Sequence, residues 1–213
     1  CVELLLTQLA SMVDLMMVGQ LGAWALTSVG LSTQPKFLVM TMFMALNVGA
    51  TAMVARFKGA GDQENANVIL RQALVLSLIL STIAAVVGYI FAPQLIQFMG
   101  STEEATLIGG TQYLRIQMIG IPAVALTSVV TATMRGIGNS RIAMIYNIIA
   151  NVVNVIFNYL LIGGNLGFPR LEVVGASLAT ILGQFVAFGI AVYMILRPKS
   201  YLRIKRGDSF KFD

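Results

Sequence analysis

A carboxylate stands alone in an oily run. Asp14 sits inside residues 3–18, ELLLTQLASMVDLMMV, where Leu, Met and Val otherwise dominate. A charge in lipid costs a few kcal/mol or more unless it is paired or hydrated, so such a residue is a candidate for function. At about 100° per residue a helix puts Glu3, Thr7, Ser11 and Asp14 on one face, at spacings of four, four and three. A second polar stripe follows later in the chain, where Asn147, Asn151, Asn154 and Asn158 recur at four, three and four. A third comprises Ser177, Thr180 and Gln184, at three and four. A carboxylate with amide and hydroxyl oxygens suits a hard monovalent cation, or a proton site with fixed hydrogen-bond partners. The plainer use of each polar side chain is as a clasp between helices. Four amides on a single stripe read better as the wall of a hydrated cavity than as four separate clasps.

Composition says what must position these groups. Of 213 residues, 57% are hydrophobic and 11% charged, with a mean hydropathy of +0.83; a soluble domain has about a quarter of its residues charged. The class is an all-α integral membrane protein. The absence of histidine excludes imidazole metal sites and histidine acid–base chemistry. Cys1 is the single cysteine, so no internal disulfide forms. The net charge of +5 falls in connections and tail, which marks topology and not a nucleic-acid partner. Nothing resembles a signal peptide, and the chain starts inside a helix.

A spanning helix needs roughly 20 apolar residues. Six segments qualify, at about 1–18, 25–55, 72–92, 113–134, 142–162 and 176–196, the first expected to lack its opening turns. Gln34, Pro35 and Lys36 interrupt the second, where Pro35 predicts a kink. Residues 56–71, RFKGAGDQENANVILR, read as a polar connection, and the third helix is expected to end at Pro93. Arg56, Lys58, Arg71, Arg135, Arg141, Arg197, Lys199, Arg203, Lys205, Arg206 and Lys211 follow the even-numbered segments, whereas the opposite connections offer only Arg170. The positive-inside rule makes the even exits cytoplasmic, the amino terminus with them, and sets Asp14 in the outer half of the membrane. Glu3 then lies about 16 Å deeper on the same face, too far to join Asp14 directly. Gln34 and Asn47 are further candidates for a substrate cavity. Met12, Met16, Met17, Met40, Met42 and Met44 would suit an adaptable binding surface but are expected first of all to face lipid. Lys36 either snorkels to the outer interface or contacts an internal carboxylate.

Several stretches resemble one family. Residues 13–22, VDLMMVGQLG, look like the first-helix signature of the MATE (multidrug and toxin extrusion) transporters. Asn47-Val48-Gly49 through Lys58-Gly59-Ala60-Gly61, then MRGIGN at 134–139, residues 154–163 and VGASLAT at 174–180 agree in order and spacing. The resemblance covers essentially the whole chain. It implies twelve helices in two lobes of six, with residues 1–196 as the amino-terminal lobe and 197–213 as a basic cytoplasmic linker toward a carboxy-terminal lobe. It implies a bacterial-type cell-membrane antiporter that exports bulky, cationic or amphipathic small molecules, with protons or sodium as coupling ion and no other cofactor. It places the cation site at Asp14, with Asn154, Asn158 and Thr180 as neighbours. Part of the family has an aspartate where this chain has Asn158; the amide removes one negative charge and leaves proton coupling through Asp14 as an alternative to sodium. A lipid-linked oligosaccharide flippase of the same superfamily is the second expectation, though a pyrophosphate head calls for several cavity arginines that these segments do not offer. An intramembrane enzyme is disfavoured for want of a nucleophile constellation.

Overall fold

The computed structural model describes residues 2–205, 207, 208 and 210; Cys1, Arg206 and Lys211 lie outside them. Among the described residues seven α-helices follow one another: α1 Val2–Gly19, α2 Ala23–Gly59, α3 Gln63–Ile90, α4 Ala92–Phe98, α5 Glu104–Gly136, α6 Ser140–Ile162 and α7 Glu172–Leu196. A short 3-10 turn, Asn165–Gly167, joins α6 to α7. All but α4 are long and apolar enough to cross a membrane, so the chain is a multi-pass, all-helical bundle.

The helices are longer than their apolar cores. The stretch 56–71 is not an open connection: α2 runs on to Gly59, and α3 starts at Gln63. Hydropathy marks the part of a helix that lies in lipid, not where its hydrogen bonding stops. Arg56 and Lys58 in the last turn suit the negative end of the α2 dipole. Gly61, at φ 73°, makes the turn, and the Asp62 carboxylate caps α3 by accepting from Asn65 N at 3.1 Å. At 1.5 Å per residue α2 is about 55 Å long and projects beyond a hydrocarbon core of about 30 Å. It continues through Pro35 as one helix. Pro93 does not end the helical path either, because it occupies the first turn of α4, where its missing N–H costs nothing.

The centre of the bundle is α5, which packs on α2, α3 and α7; α6 packs on α7, and α1 lies against α6 at the edge. Close approach and hydrogen bonds hold helices together where lipid is as apolar as leucine. Ser28 and Ser32 on α2 donate to Thr106 O (3.2 Å) and Gly110 O (3.0 Å) on α5, and Thr51 donates to Ala132 O at 3.0 Å. Between α6 and α7 the approach is closest at Gly175 and Gly183, where a Cβ would come within 2.6 Å of Leu161 O and Ala150 O respectively. By contrast α1 buries only Val18. Beyond α7 the chain turns back: Leu202 is fully buried against α2, α3 and α5, Gln63 donates to Tyr201 O at 2.9 Å, and Arg203 N donates to Asn67 Oδ1 at 2.9 Å.

Candidate functional site

The polar stripes of α1, α6 and α7 converge. Asp14 accepts a hydrogen bond at Oδ1 from Asn158 Nδ2. Asn154, one turn earlier on α6, stands between Asp14 and Thr180. With its amide oriented to satisfy both neighbours, it donates to Asp14 Oδ1 at 2.9 Å and accepts from Thr180 Oγ1 at 3.2 Å. The close fit of α7 on α6 at Gly183 makes this possible: a Cβ added there would meet Ala150 O at 2.6 Å and Asn154 Cβ at 3.3 Å. Asn158 is fully buried, and its Oδ1 has no hydrogen-bond partner. The cluster therefore holds one carboxylate, two amides and a hydroxyl, with an oxygen left over.

Asp14, Asn154 and Thr180 face a cavity of about 1140 Å³ that α1, α2, α5, α6 and α7 enclose on their shared side. Thr7 and Ser11, two turns and one turn before Asp14 on α1, line it as well, although the Thr7 hydroxyl donates to Glu3 O at 2.9 Å. Asn147, Asn151, Asn47 and Gln184 also line it, and Asn47 Oδ1 and Gln184 Oε1 are buried without partners.

Three expected cavity residues stand elsewhere. Gln34 is exposed and does not line the cavity: the lining stripe of α2 runs Thr33, Phe37, Met40, Met44, and one residue of offset turns Gln34 about 100° away from Thr33. Ser177 is fully buried behind the wall, where it accepts from Gln117 Nε2 at 3.1 Å and donates to Tyr113 O at 3.0 Å. It is a clasp between α5 and α7. Glu3 does not line the cavity itself but pairs with two groups that do. Arg135 Nη2 lies 2.7 Å from its Oε1, and Asn147 Nδ2 donates to the same oxygen at 2.6 Å.

Other residues gain a place that sequence reading left open or did not give them. Lys36 takes the inward of its two expected positions but with a different direct partner: it lines the cavity and donates to the Gln117 amide oxygen at 2.8 Å, not to a carboxylate. Arg135, read as a loop charge, belongs to the last turn of α5 and lines the far end of the cavity. Extending the fourth segment by one turn would have put it on the stripe of Val124, Thr127, Ser128 and Thr131. Met40 and Met44 face the cavity and not lipid alone, because they share the Lys36 face of α2.

Comparison with known proteins gives a consistent picture. The MatE family model matches residues 1–160. A probable multidrug resistance protein NorM of Thermotoga maritima is 29% identical over 96% of the chain and 44% of its own length. A FAD transporter of Shewanella oneidensis is 28% identical over 87% of the chain and 41% of its own length. Among solved structures, a MOP superfamily transporter from Pyrococcus furiosus superposes with a TM-score of 0.86 at 25% identity, over 96% of the chain and 44% of that protein. The chain thus spans less than half the length of the relatives it matches.

Proposed function

The chain belongs to the MatE family, and from that premise we propose that it is the amino-terminal lobe, residues 1–196, of a secondary active exporter and not of an enzyme. The exporter works as an antiporter in the cell membrane, with its amino terminus in the cytoplasm, and residues 197–213 lead from this lobe toward a second one. A proton or sodium ion, loaded at Asp14, drives export of amphipathic organic compounds, the cations that the resemblance implies among them.

The observation that carries this reading is a lone carboxylate on the wall of a cavity, held by the amides of Asn158 and Asn154. Either coupling ion cancels a charge that the membrane makes expensive. A proton on Asp14 removes an acceptor that both amides use. A sodium ion draws on oxygens, and Asn158 Oδ1, Thr180 Oγ1 and the Asp14 carboxylate are the oxygens at hand. In both cases the hydrogen bonds from α6 to α1 change. Because α1 buries only Val18, those polar contacts are a large share of what fixes it, and loading Asp14 biases the helix between two packings.

The test is transport by the full-length protein in proteoliposomes, with proton and sodium gradients imposed separately. Export that follows one of the two gradients supports the reading. Export indifferent to both overturns it.

A further inference from the structure

Lys36 is a cavity cation that makes none of the direct ion pairs found among the described residues. It belongs to the cavity-facing stripe of α2, with Phe37, Met40 and Met44 beside it. Its ammonium donates to Gln117 Oε1 at 2.8 Å. Gln117 is fixed from behind, since its Nε2 donates to Ser177 Oγ at 3.1 Å and Ser177 donates in turn to Tyr113 O at 3.0 Å. This relay is neutral. It aims the ammonium and leaves its charge intact.

Among the described residues the ion pairs are Arg71–Asp208, Arg135–Glu3 and Arg170–Glu172. Arg135, the other cation on the cavity wall, is therefore already answered by Glu3. Asp14 shares the cavity with Lys36 and acts on it through charge at a distance, but the two make no direct ion pair, and the Asp14 carboxylate is engaged by the α6 amides. An ammonium within membrane-spanning helices is costly unless something compensates it. The group in direct contact with the ammonium is a neutral acceptor amide, with apolar surface beside it and Asp14 further off across the cavity, which leaves room at Lys36 for a charged head on an oily body.

We propose that Lys36 receives the acidic group of the transported compound, so that the cavity takes amphipathic organic acids and zwitterions, with the apolar body against Phe37, Met40 and Met44. Thioethers adapt to varied shapes, so the head is read by charge while the body is read loosely. The inference rests on the exporter reading, and it names the class of substrate for the same cavity.

A matched pair of probes tests it: a rhodamine free acid and its methyl ester, which share one ring system and differ by one carboxylate. Binding to the full-length protein is followed by fluorescence polarisation, and export by proteoliposome assay. The free acid is expected to bind about tenfold more tightly than the ester, a difference of about 1.4 kcal/mol. Lys36→Gln should erase that preference by weakening binding of the free acid, and Lys36→Arg should keep it. Equal affinities in the wild-type protein, or a preference that survives in Lys36→Gln, would overturn the proposal. If Lys36→Gln does not fold, the wild-type ratio and the Lys36→Arg ratio decide. Gradient-driven export of the ester without preference for the acid defeats only the role of Lys36, whereas export of neither probe under any gradient counts against the exporter reading itself.

Discussion

Arg135 reaches across the bundle to Glu3, with Nη2 at 2.7 Å from one carboxylate oxygen and 2.9 Å from the other. The pair ties the start of α1 to the end of α5, while Asp14 ties the far part of α1 to α6 through Asn158. A helix with one buried residue is thus pinned by charge and amide contacts near both ends. Glu3 and Asp14 share a face but serve separate clusters about 16 Å apart along the helix.

The Arg135–Glu3 contact is partly solvated, with side chains 47% and 27% exposed, so it adds little to stability. Arg135→Gln and Glu3→Gln should each lower the stability of the full-length protein by about 0.5–1 kcal/mol. The double variant should cost no more than the worse single one, because the same interaction is lost. Thermal melts in detergent check this, and fully additive losses would contradict it.

Packing at Gly183 should matter far more than at Gly189. A Cβ at Gly183 meets Ala150 O at 2.6 Å, and backbone cannot step aside as a side-chain tip does. Gly183→Ala should cost about 1–3 kcal/mol and weaken coupling-ion affinity, since α7 retreats from Asn154. Gly189 has open space where a Cβ would go, so Gly189→Ala should be neutral or stabilising by up to about 1 kcal/mol. Melting temperatures of the two variants are the comparison; equal effects refute the packing argument.

Asn158→Asp should favour sodium. The change puts a second carboxylate against Asp14. Two adjacent carboxylates do not ionise together cheaply without a cation between them. Sodium-stimulated export is expected to rise in this variant relative to the wild type. An unchanged sodium response would show that this lobe does not choose its ion at position 158.

The segment after α7 carries a pH-sensitive contact outside the membrane. Asp208 accepts from Lys205 N at 2.8 Å and pairs with Arg71 at 2.8 Å, and these hold its carboxyl below the ordinary aspartate value, the backbone N–H contributing most. A folded value below the unfolded one means that the contact contributes fully above the unfolded value and is lost as pH falls through the folded one. Docking of the segment on α3 should therefore persist at pH 5 and loosen only below about pH 4. Amide hydrogen exchange at Lys205 reports it. Release already near neutral pH would contradict the assignment.

The bundle itself could be read from hydropathy, because six apolar runs of spanning length permit little else. Helix ends could not, since α2 and α3 continue into polar residues that solvent tolerates and that hydropathy counts as loop. The stripes on α1 and α6 were legible because an isolated Asp and four Asn at helical spacing have no comfortable place in lipid. Periodicity fixes a face, however, and does not say what that face meets. Ser177 shares a stripe with Thr180, yet faces Gln117 and Tyr113 inside the bundle. Lys36 was ambiguous for the same reason, as the Gln117 that receives it lies on α5, 81 positions away.

The central claim is that the charge on Asp14 couples the ion to the substrate. Asp14→Asn keeps the shape and removes the charge, so the decisive measurement is substrate export by the full-length variant in proteoliposomes under an imposed proton or sodium gradient. Gradient-driven export should vanish while the protein stays folded and still binds substrate. Undiminished export driven by either gradient would contradict the account.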